Sequence, residues 1–284
     1  MFDKELLRKL QLTQVEMLDE IVRICENNNL QYFLIGGTLL GAVRHKGFIP
    51  WDDDLDIAMP RKDYNKFRKI AKNELDKKYY LHDIDFDSKY WVSFIKIRKH
   101  NTIFEPKQDS TIDTPYKGVY VDVFPLDNAN KEKSFLQDIQ AKICKGLTSF
   151  QYRRRNATMI TKMPIIIKIM YPLLSLFSIK SISKLIDKLM QLNKNEDSKY
   201  FINIGSFINV HKQTILKDKF LPSTKIEFEG KLYCVPRDYD YVLNRLYGDY
   251  MTLPPVAQRV LHCPASSYDF GDLYADVVLD EKGK

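Results

Sequence analysis

Apolar residues recur at helical spacing near the start of the chain. Positions 6, 7, 10, 15, 18, 21, 22 and 25 hold leucine, valine, isoleucine or cysteine, with polar residues between them. This spacing predicts an amphipathic helix from Asp3 to Asn27, which the run Asn27-Asn28-Asn29 ends. The apolar run at 31–35 then predicts a buried strand, and a short helix is expected over 38–44.

The rest of the pattern predicts strands and helices up to Phe124 and mostly helices beyond it. We expect strands at 54–59, 79–83, 91–98 and 118–124, the last ending at Pro125, and a helix at 64–75. Further on, helices are expected at 131–155, 182–192 and 236–247, with a hairpin at 227–235. This order favours an α+β fold with a mixed-sheet core at 1–127. Residues 128–284 would form a mainly helical lobe, whose C-terminal hairpin and helix pack back on the core.

One segment is apolar enough to raise the question of a membrane. Residues 163–179 are mostly isoleucine, leucine, methionine and phenylalanine, but they include Lys168 and Pro172. A spanning helix needs about 18 uncharged apolar residues in a row, so none is expected. Two interpretations stay open: a buried helix pair, or an element at 163–180 that lies in the membrane interface while flanking lysines meet anionic lipid.

Charge and cysteine content limit the classes of partner and compartment. The formal net charge of +7 fits an anionic partner, such as a nucleotide, a membrane surface or nucleic acid, and it also fits ordinary solubility. The four cysteines, Cys25, Cys144, Cys234 and Cys263, include no close pair. They argue against a zinc site and a disulfide framework. With a charged N-terminus in place of a secretion signal, we expect a cytoplasmic protein.

The densest chemistry lies between positions 36 and 56. Gly36-Gly37-Thr38 opens a predicted helix, where free N–H groups can bind a phosphate. The acidic run 52–56 follows, and residues two apart on a strand share a face, so Asp54 and Asp56 should project side by side. Neighbouring carboxylates repel unless a cation lies between them, and Mg²⁺ binds such groups together with phosphate oxygens.

The first two acids of that run have a second interpretation. Asp52 and Asp53 could lie in a solvated turn or cap a helix.

A third acid and several basic residues extend the candidate site. Asp122 stands alone in an apolar strand, and a buried unpaired carboxylate costs several kcal/mol. Its partner is either a shared metal ion, as in metal-assisted phosphoryl transfer, or an internal lysine or arginine. Cations that could answer a phosphate charge are Arg44, one turn beyond the glycines, and Lys96 and Arg98, on one face of a strand. His262 is the one histidine kept as a candidate.

At these residues the sequence resembles the LicD family of phosphocholine transferases, which also includes the fukutin-related proteins. The similarity is carried by 36–56, Val121–Asp127, Phe228-Glu229-Gly230, Tyr247–Met251 and Leu253-Pro254-Pro255. It covers roughly residues 29–272 and is weakest through the apolar middle.

The resemblance implies a nucleotidyltransferase-type fold, similar to the polymerase-β superfamily. By that pattern Asp54 and Asp56 bind Mg²⁺, or Mn²⁺, and Asp122 completes the site and helps deprotonate the acceptor hydroxyl. Asp52 matches a further family acid, as a ligand or next to one. The cysteines that bind zinc in the animal relatives have no counterpart, so no zinc is expected.

Bacterial members of the family move phosphocholine from CDP-choline onto sugars of teichoic acid precursors or lipopolysaccharide. The expected activity is therefore Mg²⁺-dependent transfer to a lipid-linked glycan precursor at the inner face of the membrane. One alternative is transfer of another phospho-alcohol, such as glycerol or ribitol phosphate, from its CDP donor. A basic nucleic-acid-binding protein is the non-enzymatic alternative, but an acidic loop would repel the polymer, so no nucleic-acid partner is expected.

Overall fold

A ten-residue strand, Tyr120–Ala129, joins the two parts of this fold. The computed structural model describes residues 4–107, 114–155, 165–206, 208–261, 264–270 and 277–278. Its helices are α1 (Lys4–Asn27), α2 (Gly36–His45), α3 (Arg61–Glu74), α4 (Phe135–Arg155), α5 (Ile165–Ser175), α6 (Ile179–Met190), α7 (Lys217–Phe220) and α8 (Tyr239–Tyr247). Its strands are β1 (Phe33–Leu34), β2 (Asp56–Pro60), β3 (Tyr79–His82), β4 (Ile95–Lys99), β5 (Ile103–Pro106), β6 (Tyr120–Ala129), β7 (Tyr200–Ile202), β8 (Thr214–Leu216), β9 (Thr224–Phe228), β10 (Lys231–Val235), β11 (Ala265–Asp269) and β12 (Val277–Val278).

The central sheet is mixed. Its main path runs β1-β2-β6-β4-β3, with β7 paired to the far end of β6 and β8 paired to β7. Strands β2 and β6 are parallel, and the other pairs in this sheet are antiparallel. A hairpin, β9–β10, and a small sheet of β5, β11 and β12 stand beside it. Helices cover a mixed sheet, so the α+β prediction is confirmed.

Strand β6 continues through Pro125, where we expect it to end. The reason lies in the direction of the backbone groups. The Asp122 N–H donates to Leu55 O on the β2 side, so the nitrogen of Pro125, three residues on, faces the opposite side. On that side, β6 pairs with β4 only as far as Val123, and its pairing with β7 starts only at Asp127. A residue without an N–H therefore loses no ladder hydrogen bond.

Two hydrophobic clusters pack on this frame. The larger contains α1, α2, α3, both faces of the sheet and the β9–β10 hairpin, and it includes the fully buried Leu10, Leu18 and Ile21 of the first helix, which confirms the amphipathic prediction there. The smaller lies between α4, α6 and β7. Strand β6 crosses position 127, where we expect the core to end, and Ala129 at its end belongs to the smaller cluster. The division of the chain at that point stays a prediction.

Several element boundaries differ from expectation. The helix predicted over 38–44 begins at Gly36, and the strand predicted over 91–98 begins only at Ile95. The helix predicted over 236–247 begins at Tyr239, after an Asp238 carboxylate that accepts a hydrogen bond from the Tyr241 N–H. Strands β5, β7, β8, β11 and β12 were not predicted.

The apolar segment forms a helix whose outer face is exposed. Helix α5 contains Pro172, and the exposed fractions of Ile169, Leu173 and Leu176 are 74%, 58% and 80%. Tyr171 and Leu174 pack against the smaller cluster. The buried-pair interpretation is therefore wrong for the outer face. No helix in the described ranges is long and apolar enough to span a membrane.

A buried ion pair fastens β6 to two helices. Arg61, at the start of α3, donates from Nε and Nη2 to both carboxylate oxygens of Asp127 at 2.6 and 2.8 Å. Its Nη1 also donates to Asp187 on α6 at 2.9 Å. Because Asp127 is only 1% exposed, its charge depends on this fork of hydrogen bonds.

We predict that Asp127→Asn lowers the free energy of unfolding by about 3 kcal/mol, because it leaves the Arg61 charge buried with one half-exposed partner. Urea denaturation followed by circular dichroism measures the change. Glu26→Gln is the matched control, since its partner Lys225 and Glu26 itself are both exposed. Equal effects of the two substitutions would contradict the prediction.

Candidate active site

Four carboxylates and the glycine turn meet at one cavity. It has a volume of about 370 Å³ and is lined on one side by Gly36, Gly37, Asp52, Asp54, Asp56 and Asp122. The parallel pairing of β2 with β6 sets Asp56 directly beside Asp122. The other described lining residues are mainly apolar, and many come from later elements, including Phe201, Phe220, Leu246 and Tyr247.

The two glycines lie against the acids. Gly36 has a φ of +58°, which favours glycine, and a Cβ there would lie 3.4 Å from Asp56 Oδ2. A Cβ on Gly37 would lie 2.7 Å from Asp52 Oδ2, closer than side chains tolerate. Thr38 Oγ1 accepts a hydrogen bond of 2.8 Å from the Asp56 N–H. The first turn of α2 and the acidic run are therefore one unit.

Three consecutive acids are close enough to share a cation. Carboxylate oxygens of Asp52, Asp53 and Asp54 all lie within 4.8 Å of one another. Burial raises the pKa of Asp52 well above its usual value, and Asp54, Asp56 and Asp53 raise it further by repulsion. Asp53 is fully buried, so a solvated turn is the wrong interpretation for that residue. Crowded carboxylates of this kind fit a divalent metal.

Two glutamine side chains of α1 donate hydrogen bonds to the backbone of the acidic loop. Gln11 Nε2 donates to Asp52 O at 2.9 Å. Gln14 Nε2 is shared between Asp53 O at 3.2 Å and Tyr120 O at 3.3 Å, which ties the loop to β6. Sequence reasoning missed both glutamines, although each is a polar residue within the apolar stripe of a predicted helix.

The β9–β10 hairpin holds the segment that leads into the acidic loop. Glu229 and Gly230 form its tip with φ of +51° and +77°. The Glu229 carboxylate accepts from the Phe48 N–H at 3.0 Å and from Arg8, and its own N–H donates to Lys46 O at 2.9 Å. The distant Phe228-Glu229-Gly230 motif thus supports the site without lining it.

Asp122 has a cationic partner in the structure. Lys96 Nζ lies 2.5 Å from Asp122 Oδ1 and 3.5 Å from the centre of the Tyr120 ring. Of the two partners expected for Asp122, the internal lysine is thus present. Burial still raises the pKa of Asp122, with repulsion from Asp54 adding to it, although Lys96 acts in the opposite direction.

None of the three expected basic residues is among the described residues that line the acid cavity, and Lys96 contacts it only through Asp122. Arg44 Nη1 donates to Tyr250 O at 2.8 Å, which links α2 to the segment after α8. Arg98 is buried and donates from Nε to His82 Nδ1 at 2.9 Å and from Nη1 to Gly118 O at 2.6 Å. His262 lies outside the described residues.

Tyr247 is a further residue of the cavity that sequence reasoning missed. It is the last residue of α8, and its hydroxyl would lie 3.9 Å from a Cβ on Gly36. Burial raises its pKa, and Asp56, Asp52 and Asp54 raise it further. Its position at the start of the Tyr247–Met251 motif was the available signal. No sequence signal indicated Asn203 and Gln213, which also line the cavity.

Comparison with known proteins gives this site a family. Residues 29–155 match the family described as LicD/FKTN/FKRP, nucleotidyltransferase domain. Lipopolysaccharide cholinephosphotransferase LicD of Haemophilus influenzae is 30% identical over 271 residues, which cover 92% of this chain and 97% of the relative. The chain belongs to the LicD family. The resemblance expected from the motifs is thereby confirmed.

Two further proteins are similar over shorter stretches. Human ribitol 5-phosphate transferase FKRP is 44% identical over 54 residues, 19% of this chain and 11% of the relative. An uncharacterised protein of Rickettsia typhi is 42% identical over 59 residues, 21% of this chain and 19% of the relative. This LicD family member is an enzyme of the phosphotransferase class, as predicted.

The His82–Arg98 contact gives a testable pH dependence. Burial, Arg98, Lys96 and Arg155 together lower the pKa of His82 to about 2. Because Nδ1 accepts from Arg98, the proton of the neutral ring is on Nε2, which faces Asp87 Oδ2 at 3.3 Å. A histidine in the unfolded chain has a pKa of about 6.5, so below that pH only the unfolded state takes up a second proton on the His82 ring.

We therefore predict that His82→Asn, which keeps an acceptor for Arg98, reduces the loss of stability on acidification. Between pH 7 and pH 5 the free energy of unfolding should fall by about 2 kcal/mol less in the variant than in the wild type. Urea denaturation at both pH values measures this difference. An identical fall in the two proteins would show that His82 is protonated in the native state.

Proposed function

We propose that this LicD family member transfers phosphocholine from CDP-choline to a sugar hydroxyl of a teichoic acid or other cell-surface glycan precursor. The observation that carries the proposal is the meeting of a glycine turn and four carboxylates at one cavity. The full-length similarity to a lipopolysaccharide cholinephosphotransferase supports choline as the transferred alcohol.

The carboxylates fit a divalent metal ion, and we assign it as Mg²⁺, with Mn²⁺ as a substitute. Asp54, Asp56 and Asp122 are the proposed ligands, with Asp52 as a further one. The assignment is supported by the lining of one cavity by all four acids, by the closeness of Asp52 to Asp54, and by the register that sets Asp56 beside Asp122. When bound, the metal would polarise phosphoryl oxygens and offset their charge. The proposed fold type is that of the polymerase-β-like nucleotidyltransferases.

The protein groups have distinct tasks in this proposal. The free N–H groups of Gly36, Gly37 and Thr38 bind donor phosphate oxygens. The Asp122 carboxylate accepts the proton of the acceptor hydroxyl, a task that a raised pKa favours. The sugar oxygen forms a bond to the choline-linked phosphorus, and the bond from that phosphorus to the CMP oxygen breaks. Lys96 stabilises the charge that develops beside Asp122.

Asp54→Asn should lower the rate of phosphocholine transfer by at least about 1000-fold, because a carboxylate that holds the metal is lost. Release of CMP from CDP-choline in the presence of Mg²⁺ and a glycan acceptor measures it. Asp218→Asn makes the same chemical change on α7, away from the cavity lining, and should leave the rate unchanged. Full turnover by Asp54→Asn would refute the assignment of the acids.

A second donor is favoured by one comparison. The ribitol 5-phosphate transferases match this chain at 44% identity over 54 residues, which supports ribitol phosphate, or by chemical analogy glycerol phosphate, as the alternative group transferred. Parallel assays with CDP-choline, CDP-ribitol and CDP-glycerol on one acceptor decide between them.

We also propose that the enzyme contacts the inner face of the membrane, where a lipid-linked acceptor would lie, through residues 163–180, of which 163 and 164 are outside the described residues. The exposed side chains of Ile169, Leu173 and Leu176 would insert. Arg154, whose Nη1 donates to Phe177 O, together with Lys180 would meet anionic lipid headgroups.

Replacing Leu173 and Leu176 together by serine should reduce binding to vesicles that contain anionic lipid by about tenfold or more, since each buried apolar side chain contributes about 1.5–3 kcal/mol. Co-sedimentation with vesicles measures it. Leu232→Ser on β10 is the control, because that leucine is also exposed but lies in another part of the fold. If the control lost as much binding, contact through α5 would be excluded.

A further inference from the structure

A second, smaller cavity lies on the other side of the Lys96–Asp122 ion pair. Its volume is about 80 Å³, and its described walls share no residue with those of the acid cavity. Lys96 lines the small cavity and Asp122 lines the large one, with 2.5 Å between Nζ and Oδ1. One ion pair therefore connects the two spaces.

Arg98 places a buried positive charge in the lining of the small cavity. The residue is only 9% exposed, and its two hydrogen-bond acceptors, the neutral His82 ring and the Gly118 carbonyl, carry no net charge. Within the described ranges no carboxylate lies within 4.0 Å of its guanidinium. A buried guanidinium whose hydrogen-bond acceptors are both neutral is costly, so this position fits an anionic ligand.

The rest of the lining has the same character. Lys117 and Arg155 contribute further positive charge, and Glu105, which pairs with Lys117 at 2.7 Å, is the acid among the described lining residues. Trp91 and Tyr116 add aromatic walls. A phosphate group matches this combination, because it has the charge, the size and the acceptor oxygens for a guanidinium and an ammonium.

The position of the small cavity separates the acceptor from the donor. In phosphoryl transfer the attacking and leaving oxygens lie on opposite sides of the phosphorus. The donor phosphates have their proposed site at the glycine turn, in the large cavity. A molecule in the small cavity would reach Asp122 from the side of Lys96, away from the described residues of the glycine turn.

We propose that the small cavity binds a phosphate group of the glycan acceptor and so directs its hydroxyl towards Asp122. This inference rests on the proposed transferase activity for the identity of the ligand. The anion site itself does not depend on that activity. The same chemistry could belong to a phosphate on the sugar or to the diphosphate that links a glycan to its lipid.

Binding of inorganic pyrophosphate to the intact protein, measured by calorimetry in the presence of EDTA, tests the anion site. Arg98→Met should weaken binding by at least about tenfold, because it removes a charged hydrogen-bond donor. Lys117→Met, at a side chain that is 39% exposed, should weaken it without a risk to folding. Lys225→Met removes the same charge from an exposed position elsewhere and should not change it. Equal affinity in all four proteins would overturn the proposal.

Steady-state kinetics then test the identity of the ligand. Lys117→Met should raise the KM for a phosphate-bearing acceptor while the KM for CDP-choline stays the same. The assay is run with a soluble sugar phosphate and with a lipid-diphosphate-linked sugar as acceptors. The acceptor whose KM rises in the variant carries the phosphate group that the small cavity binds. If neither rises, the acceptor assignment is wrong even where pyrophosphate binds. If the wild-type protein released no CMP from CDP-choline, CDP-ribitol or CDP-glycerol, the proposed function would be refuted. The anion site would not be affected by that result.

Discussion

The crowding of four carboxylates around one cavity is the constraint on which the rest of the structure depends. Burial and like charge both disfavour ionised carboxylates here, and together they raise the pKa of Asp52. The fold counters it from several directions. Gln14 ties the acidic loop to β6, Gly37 allows α2 to approach Asp52, and Glu229 fixes the segment that leads into the loop. These contacts come from elements far apart in the chain, and together they preorganise the site before any ligand arrives.

Lys96 on β4 lies between surroundings of opposite charge. On one side it neutralises Asp122, and on the other it faces a basic cavity with Arg98. Burial and Lys96 act on the Asp122 pKa in opposite directions, so the protonation of this carboxyl responds to anything that draws the lysine away. A phosphate that attracts Lys96 would weaken its hold on Asp122. In the proposed reaction, acceptor binding and proton transfer would thus be linked through one side chain.

Local patterns reveal the acids but not the other residues that line the cavity. The acidic run around Leu55 and the isolation of Asp122 within an apolar strand pointed to Asp54, Asp56 and Asp122. The strand predicted from position 54 begins only at Asp56, so the period of two does not place Asp54, whereas the parallel register of β2 and β6 brings Asp56 and Asp122 together. Tyr247 and Phe201 come from elements much later in the chain than Asp122, where nothing in the spacing indicates a cavity. Strands β5 and β11 are short and pair with each other although they are far apart in the sequence, so their ladder depends on tertiary structure. The resemblance supplied choline, which no residue pattern did.

The continuity of β6 has a mechanical consequence. Its first half pairs with β2 and β4 and carries Asp122, and its last three residues pair with β7 and contact the smaller hydrophobic cluster. Arg61 clamps the strand where these halves meet. A hinge needs a flexible loop, whereas here a hydrogen-bonded strand runs unbroken from one cluster to the other. The smaller cluster is therefore a rigid extension of the sheet.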